Sequence, residues 1–202
     1  MAATASPYGL RAVNELGGLP YAGSTRSFLI DPAGYNTNIF YGSIVAVSTA
    51  GYLEIVGTVG SSAGNIFPAG TVGVFVGCSF VNAQGQQMFS QYYPANTTGV
   101  VSALVIDDDR TVFQVQAAGT LGQTALGMNA ILQTAQTTST GSTQNGNSNT
   151  AISISVAATA TYALKIVGFV QSPFSNVGDA YTDVLVKFNV GSHAYNTGLG
   201  VA

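Results

Sequence analysis

The sequence predicts an all-β protein, an antiparallel β-sandwich or barrel of which a jelly-roll-like arrangement is one form. Three observations support this fold class. Apolar residues alternate with small or polar ones in many short segments, which is the period of a β-strand. The segments are rich in Val, Ile, Phe and Tyr and are bounded by Gly, Asn and Ser. Many short strands separated by turn signals are typical of sandwiches and barrels.

The alternation begins near residue 39 and predicts nine strands along the rest of the chain. It is clearest in four segments, which are 72–80, 111–117, 152–156 and 184–190. The other predicted strands are 39–47, 52–56, 86–93, 99–106 and 163–171. The stretch 120–132 has a weak helical character, because Gly122 and Gly127 interrupt it.

Residues 1–35 are predicted to form an extended N-terminal arm, followed by a β domain over residues 36–202. Prolines and glycines interrupt any regular period in this first segment. A floppy terminus is one interpretation. Disordered segments usually lack aromatic and aliphatic side chains, however, so we favour an arm that becomes ordered against a partner. The predicted contacts of this arm are Arg11, Tyr21, Arg26 and Phe28, since arginine and aromatic side chains dominate interface energies.

Residues 133–150, "QTAQTTSTGSTQNGNSNT", form a polar low-complexity segment without a charged side chain. The simplest interpretation is a long mobile loop between two strands. The alternative is a loop that lies against a neighbouring subunit through its hydrogen-bonding side chains.

The charge content indicates a component of an assembly. Charged residues make up 6% of the chain and the formal net charge is −3, so copies repel one another weakly. Five Lys and Arg residues are too few for a nucleic-acid-binding face. The first residues do not resemble a signal peptide, and no apolar run approaches the roughly 20 residues that span a bilayer. We therefore expect neither nucleic acid nor membrane as a partner.

The best candidates for chemistry are the three consecutive aspartates Asp107, Asp108 and Asp109. They lie between two predicted strands, so we interpret 107–110 as the solvated turn of a β-hairpin, with Arg110 paired to one aspartate. His193 is the only histidine and has no nucleophile motif beside it, and Cys78 lies on an apolar strand face that predicts a buried thiol. We find no catalytic, phosphate-binding or metal motif. The sequence therefore predicts no enzyme, no metal and no cofactor.

Six strings along the chain carry a resemblance to a known family. They are "SPYGLRAVNELGGLPYAGSTRSFLI", "YNTNIFYGSIV", "GVFVGCSF", "FSQYYP", "VIDDDRTVFQVQA" and "GDAYTDVLVKFNVGSHAY". In these strings, which occur in order between residues 6 and 198, the chain resembles a family of tailed-bacteriophage virion structural proteins. The resemblance implies a head decoration, or cement, protein that binds the major capsid protein. It also implies a homotrimer located on the head surface of the virion. Since the sequence shows neither a signal peptide nor a membrane-spanning run, we expect the chain to be made in the host cytoplasm.

Two other functions stay open at the level of the sequence. The first is a tail or host-binding structural protein, in which the polar segment 133–150 would bind glycans. The second is a β-barrel enzyme that uses the aspartates or His193, which the missing motifs make the weakest of the three.

Overall fold

The structure, a computed structural model, describes residues 4–61, 67–198, 200 and 201. It confirms the all-β class, with two antiparallel sheets that pack together as a sandwich. The strands are β1 (Arg11–Glu15), β2 (Arg26–Ile30), β3 (Ile44–Val47), β4 (Leu53–Ile55), β5 (Thr71–Val81), β6 (Gln87–Ser90), β7 (Val101–Ile106), β8 (Thr111–Gln116), β9 (Asn129–Ala130), β10 (Leu164–Phe169) and β11 (Asp183–Phe188). Single 3-10 turns occupy Gln123–Ala125 and Ala194–Asn196.

The two sheets differ in size and in the part of the chain that builds them. The five-stranded sheet has the order β1-β8-β11-β10-β9, and the six-stranded sheet has the order β2-β7-β5-β3-β4, with β6 also paired to β5. β5 is long enough to pair with β3 through its first residues and with β6 through its last. The five-stranded sheet thus combines strands from the beginning, middle and end of the chain.

Apolar side chains form two separate core clusters. The first lies between the sheets, where Phe113, Val186 and Phe188 of the five-stranded sheet meet Ile44 and Val74 of the six-stranded sheet. The second lies on the opposite face of the six-stranded sheet, which curves until β2 contacts β4. Burying one such side chain contributes about 1.5–3 kcal/mol. The six-stranded sheet is therefore stabilised by apolar contacts on both of its faces.

The structure does not confirm an N-terminal arm. Arg11–Glu15 pairs with β8 at one edge of the five-stranded sheet, and Arg26–Ile30 pairs with β7 at one edge of the six-stranded sheet. Leu10 and Ile30 are buried. Short edge strands are half solvated and flanked by glycines, so they show no clear alternation in the sequence. Residues 1–3 of the predicted arm lie outside the described residues.

The predicted hairpin around Asp108 is wrong. β7 pairs with β2 and β5, whereas β8 pairs with β1 and β11, so residues 107–110 cross from one sheet to the other. The alternation of side chains defines each strand, but it does not define which strand is its neighbour. This link therefore lies at the seam of the sandwich rather than at the tip of a hairpin.

Two further element predictions differ from the structure. Ile152 makes isolated bridges to Ala117 and to Leu132, so the segment 152–156 is not a strand. Within 120–132 the only helical residues are those of the 3-10 turn at 123–125, and the segment ends in the two-residue strand β9. Gly122 and Gly127, which disfavour a helix, explain why the helical residues are limited to one 3-10 turn.

The polar segment 133–150 is bound to its own domain at several points. Gln136 is buried, and its amide accepts a hydrogen bond from the Ile44 backbone N–H at 2.9 Å. The same amide donates to the backbone carbonyls of Ile44 at 3.1 Å and Val56 at 3.0 Å. Ser148 and Thr150 are also buried. The prediction of a mobile loop therefore missed that the segment supplies a hydrogen-bond partner to three backbone groups.

Candidate interaction surface

One face of the six-stranded sheet continues from the core into solvent. On β7, Ser102, Leu104 and Ile106 point to the same side, because alternate residues of a strand share a face. Ile106 is buried between the sheets, whereas Leu104 is 42% exposed. The five-stranded sheet therefore covers only one end of this face.

We call the uncovered part the open face and define it by strand register. Residues directly opposite each other on paired strands share a face. The open face comprises Ser27 and Leu29 of β2, Ser102 and Leu104 of β7, Gly77, Ser79 and Val81 of β5, and Gln87 and Phe89 of β6.

The open face carries apolar side chains but no charge. Phe89 is 81% exposed, and Leu29 is 52% exposed. The hydroxyls of Ser27 and Ser102 bond to each other across the strands, which reduces their need for water. Exposed apolar surface of this kind marks protein interaction sites. The open face is thus the candidate functional site of the described chain.

The outer face of the five-stranded sheet has the opposite character. It carries Arg11 on β1, Lys165 on β10, and Asp183 and Lys187 on β11, each of which alternates with a core residue. Such charged side chains suit permanent contact with water. This charged outer face and the uncharged open face therefore differ in the partners that they can accept.

A polar cluster at the end of β2 joins residues that are far apart in the sequence. Arg26 Nε contacts Asp107 Oδ2 at 2.8 Å, and the Tyr195 hydroxyl donates to the same oxygen at 2.9 Å. Arg26 Nη1 donates to the Tyr195 oxygen at 2.7 Å. The Asp107 side chain is 11% exposed, whereas that of Arg26 is 60% exposed. The cluster fastens the C-terminal segment to the link between the sheets.

His193 extends this cluster toward the core. It is buried, its ring packs against Phe188 and Tyr195, and its Nδ1 accepts a hydrogen bond from the Tyr195 backbone N–H at 3.2 Å. This bond caps the 3-10 turn Ala194–Asn196. Burial lowers the pKa of His193, and the Val72 backbone and the carboxylates of Asp109, Asp107 and Asp108 partly offset that effect. The neutral ring is therefore the folded form near neutral pH.

Removing the Asp107 carboxylate should destabilise the protein. We expect Asp107→Ala to lower the free energy of unfolding by about 1–2 kcal/mol, since the Tyr195 hydroxyl loses its acceptor and Arg26 is solvated enough to soften the loss. Asp109→Ala is the matched control and should change it by less than about 0.5 kcal/mol. Urea unfolding of both variants measures the difference, and equal effects would refute the distinction between the two aspartates.

The stability of the protein should fall as the pH drops below the ordinary pKa of histidine, 6.5. The unfolded chain binds a proton at His193 in this range, whereas the folded chain resists it, so stability is present above this pKa and is lost below it. His193→Asn keeps an acceptor for the Tyr195 N–H and cannot be protonated. Urea titrations between about pH 7 and about pH 5 should give a shallower slope for the variant. Parallel slopes would contradict the assignment.

The four predicted contact residues do not meet at one site. Arg11 lies over the Tyr8 ring at 4.5 Å, and the Tyr21 hydroxyl donates to the Ser24 carbonyl at 2.5 Å. Phe28 is half-buried against the second core cluster. Of the four, only Arg26 joins the polar cluster. Their role as contacts with another subunit stays a prediction.

The open face and Tyr195 were missed by reasoning from the sequence. The strand 99–106 did contain a signal, because Leu104 and Ile106 are apolar on the face opposite to Val101, Ala103 and Val105. A strand that is apolar on both sides indicates that both faces are covered. Nothing in the sequence links Tyr195 to Asp107.

Metal and thiol chemistry find no support among the residues that the structure describes. No three His, Cys, Asp or Glu side chains in that part of the chain are placed to hold a metal ion. Cys78 is buried, as its place on an apolar strand predicts, and burial raises the pKa of its thiol to about 12. The helical residues of the described ranges form single 3-10 turns, and none has the length and apolar character of a membrane-spanning helix.

The described chain is a β-sandwich with a charged outer face on the five-stranded sheet and an uncharged open face on the six-stranded sheet. Comparisons with known proteins add no relative. No family model matches the chain, and none of the curated proteins or solved structures compared with it is significantly similar.

Proposed function

We propose that this protein is a capsid decoration, or cement, protein of a tailed bacteriophage. It binds the outside of the assembled shell of major capsid protein and stabilises that shell. The observation that carries the proposal is the open face, an uncharged sheet surface that continues the buried core and exposes Phe89, Leu29 and Leu104. The partner, the major capsid protein, is inferred from the resemblance of the sequence to virion structural proteins.

The energetics of such a role follow from mass action. A protein that binds only the assembled lattice stabilises it, and many modest contacts add up over many copies. Because many copies bind, no single copy needs exceptional affinity. The open face can also be dehydrated at low cost, since it buries no charged side chain and its paired serine hydroxyls bond to each other. The charged outer face of the other sheet remains in water. We further propose that the protein acts as a homotrimer and catalyses no reaction.

The first experiment is the location and copy number of the protein in purified particles. We expect many copies on the head, and lower tolerance of heat and osmotic shock in particles that lack the protein. A handful of copies at the tail would reject the proposal in favour of the alternative, a tail or host-binding structural protein. Analytical ultracentrifugation of the purified protein tests the trimer, and a monomer at all concentrations would reject it.

A charged variant of the open face tests directly whether this face binds the capsid. We expect Phe89→Lys with Leu104→Lys to weaken binding to undecorated capsids by at least about tenfold, which is about 1.4 kcal/mol. Both positions are exposed, so the melting temperature should barely change. Val190→Lys is the matched control, because Val190 is 75% exposed and lies outside the open face. Unchanged binding by the double variant, measured by co-sedimentation, would contradict this use of the face.

A further inference from the structure

Tyr181 has an unusual backbone conformation. Its φ is 56°, in the left-handed region. Within the described ranges, Asn96 is the only other non-glycine residue with a positive φ. Asparagine is common in this region, whereas a bulky aromatic residue is rare there. Residues held in such conformations concentrate at binding sites, where the surrounding structure compensates for their strain. The conformation of Tyr181 therefore indicates a binding site around it.

Tyr181 lines a cavity of about 210 Å³ on the surface of the domain. Ala117, Ala118 and Ala151 supply apolar walls, and Gln133 and Asn149 come from the two ends of the polar segment 133–150. Ala5 and Pro7 form another part of the wall. Two hydrogen bonds hold this segment in place, from the Ser6 backbone N–H to Gln116 Oε1 at 2.8 Å and from Gln116 Nε2 to the Thr4 carbonyl at 3.2 Å. The cavity is thus formed before any ligand arrives.

The cavity combines uncharged polar side chains with an apolar wall. None of the residues that line it is charged. The side chains of Gln133, Asn149 and Tyr181 have no hydrogen-bond partner among the described residues. Carboxamides both donate and accept hydrogen bonds, which matches neighbouring hydroxyl groups, and an aromatic ring offers a flat apolar surface. Phosphate or an acidic sugar would find no cation here.

We infer that this cavity binds one neutral sugar unit of a glycan, with Tyr181 against the apolar face of the sugar and Gln133 and Asn149 on its hydroxyls. Small-molecule sites commonly combine apolar walls with a few placed polar groups in this way. The site lies apart from the open face and is independent of the capsid proposal. A decoration protein with this site would attach the particle weakly to glycan-bearing surfaces, and many copies would strengthen that attachment.

The test combines a glycan array with titrations of methyl glycosides of neutral hexoses, followed by NMR of the full-length protein. We expect binding of at least one neutral glycan. Tyr181→Gly removes the ring at a position where glycine adopts the backbone without strain. This variant should melt at the same or a higher temperature and bind the sugar at least about tenfold more weakly.

Variants in the polar segment provide the controls. Gln133→Ala and Asn149→Ala should each weaken sugar binding, whereas Gln144→Ala, which is exposed in the same segment and outside the cavity, should leave it unchanged. The inference is overturned if the wild type binds no neutral glycan, if it binds acidic glycans alone, or if Tyr181→Gly binds as the wild type does. If the wild type binds a neutral glycan but does not bind capsids, only the proposed function is rejected.

Discussion

Replacing Gln136 with leucine should lower the free energy of unfolding by about 3 kcal/mol or more. The Gln136 amide is the hydrogen-bond partner of the Ile44 N–H and of the carbonyls of Ile44 and Val56. Leucine has a similar size but neither donates nor accepts a hydrogen bond. The Ile44 N–H and the Val56 carbonyl would stay buried without a partner, and each such group costs about 1–3 kcal/mol. The Ile44 carbonyl would keep only the hydrogen bond from the Val56 N–H at 3.0 Å.

Urea unfolding measures this loss against a matched variant. Gln144→Leu places the same change at an exposed position of the same segment, and it should alter stability by less than about 0.5 kcal/mol. Amide hydrogen exchange adds a local readout, since Ile44 should lose protection in the Gln136 variant. Equal stability of the two variants would show that the polar segment does not anchor the sandwich.

Replacing Gly73 with alanine should cost at least about 3 kcal/mol, or prevent folding. Gly73 lies in β5 with a φ of 144°, a conformation that side chains rarely adopt. A β-carbon there would clash with the carbonyl oxygen of Ile106, the last residue of β7. The close approach occurs where the chain leaves the six-stranded sheet for the other one, so neither backbone can move aside without disturbing both sheets.

Gly85→Ala separates the steric part of this effect from the conformational part. Gly85 has a φ of 79°, but nothing lies within 4 Å of the position of its added β-carbon. The variant should therefore lose only about 1–2 kcal/mol, the usual cost of a left-handed conformation. Thermal melts of the two proteins test the difference. A Gly73→Ala protein as stable as Gly85→Ala would mean that the two strands are farther apart than described.

Three of the four segments with the clearest alternation are strands, because their local sequence already separates apolar from polar side chains. The fourth, 152–156, makes only isolated bridges. The segment 72–80 became Thr71–Val81, and 111–117 became Thr111–Gln116. Edge strands were missed, since Arg11–Glu15 and Arg26–Ile30 bury too few side chains to impose a period. The pairing of strands depends on contacts between distant segments, which explains the wrong hairpin at Asp108.

The sites depended even more on distant contacts. Asp107 was predicted to be solvated because it lies in the link between two predicted strands, but Arg26 and Tyr195 reach it from distant parts of the chain. Gln136 looked like one of many polar residues in a low-complexity segment. Its burial follows from its hydrogen bonds to the backbone of Ile44 and Val56, which no local pattern reveals. The open face was visible only as apolar residues on the second side of β7.

The order of strands in the five-stranded sheet also governs how the chain can acquire its structure. β8, in the middle of the chain, has β1 on one side and β11 on the other. During synthesis β8 therefore emerges well before its second neighbour exists, and the sheet closes only after Phe188 has been added. Such non-local pairing makes folding slow and leaves strand edges temporarily exposed. Nascent chains would be at greatest risk of aggregation between the completion of β8 and that of β11.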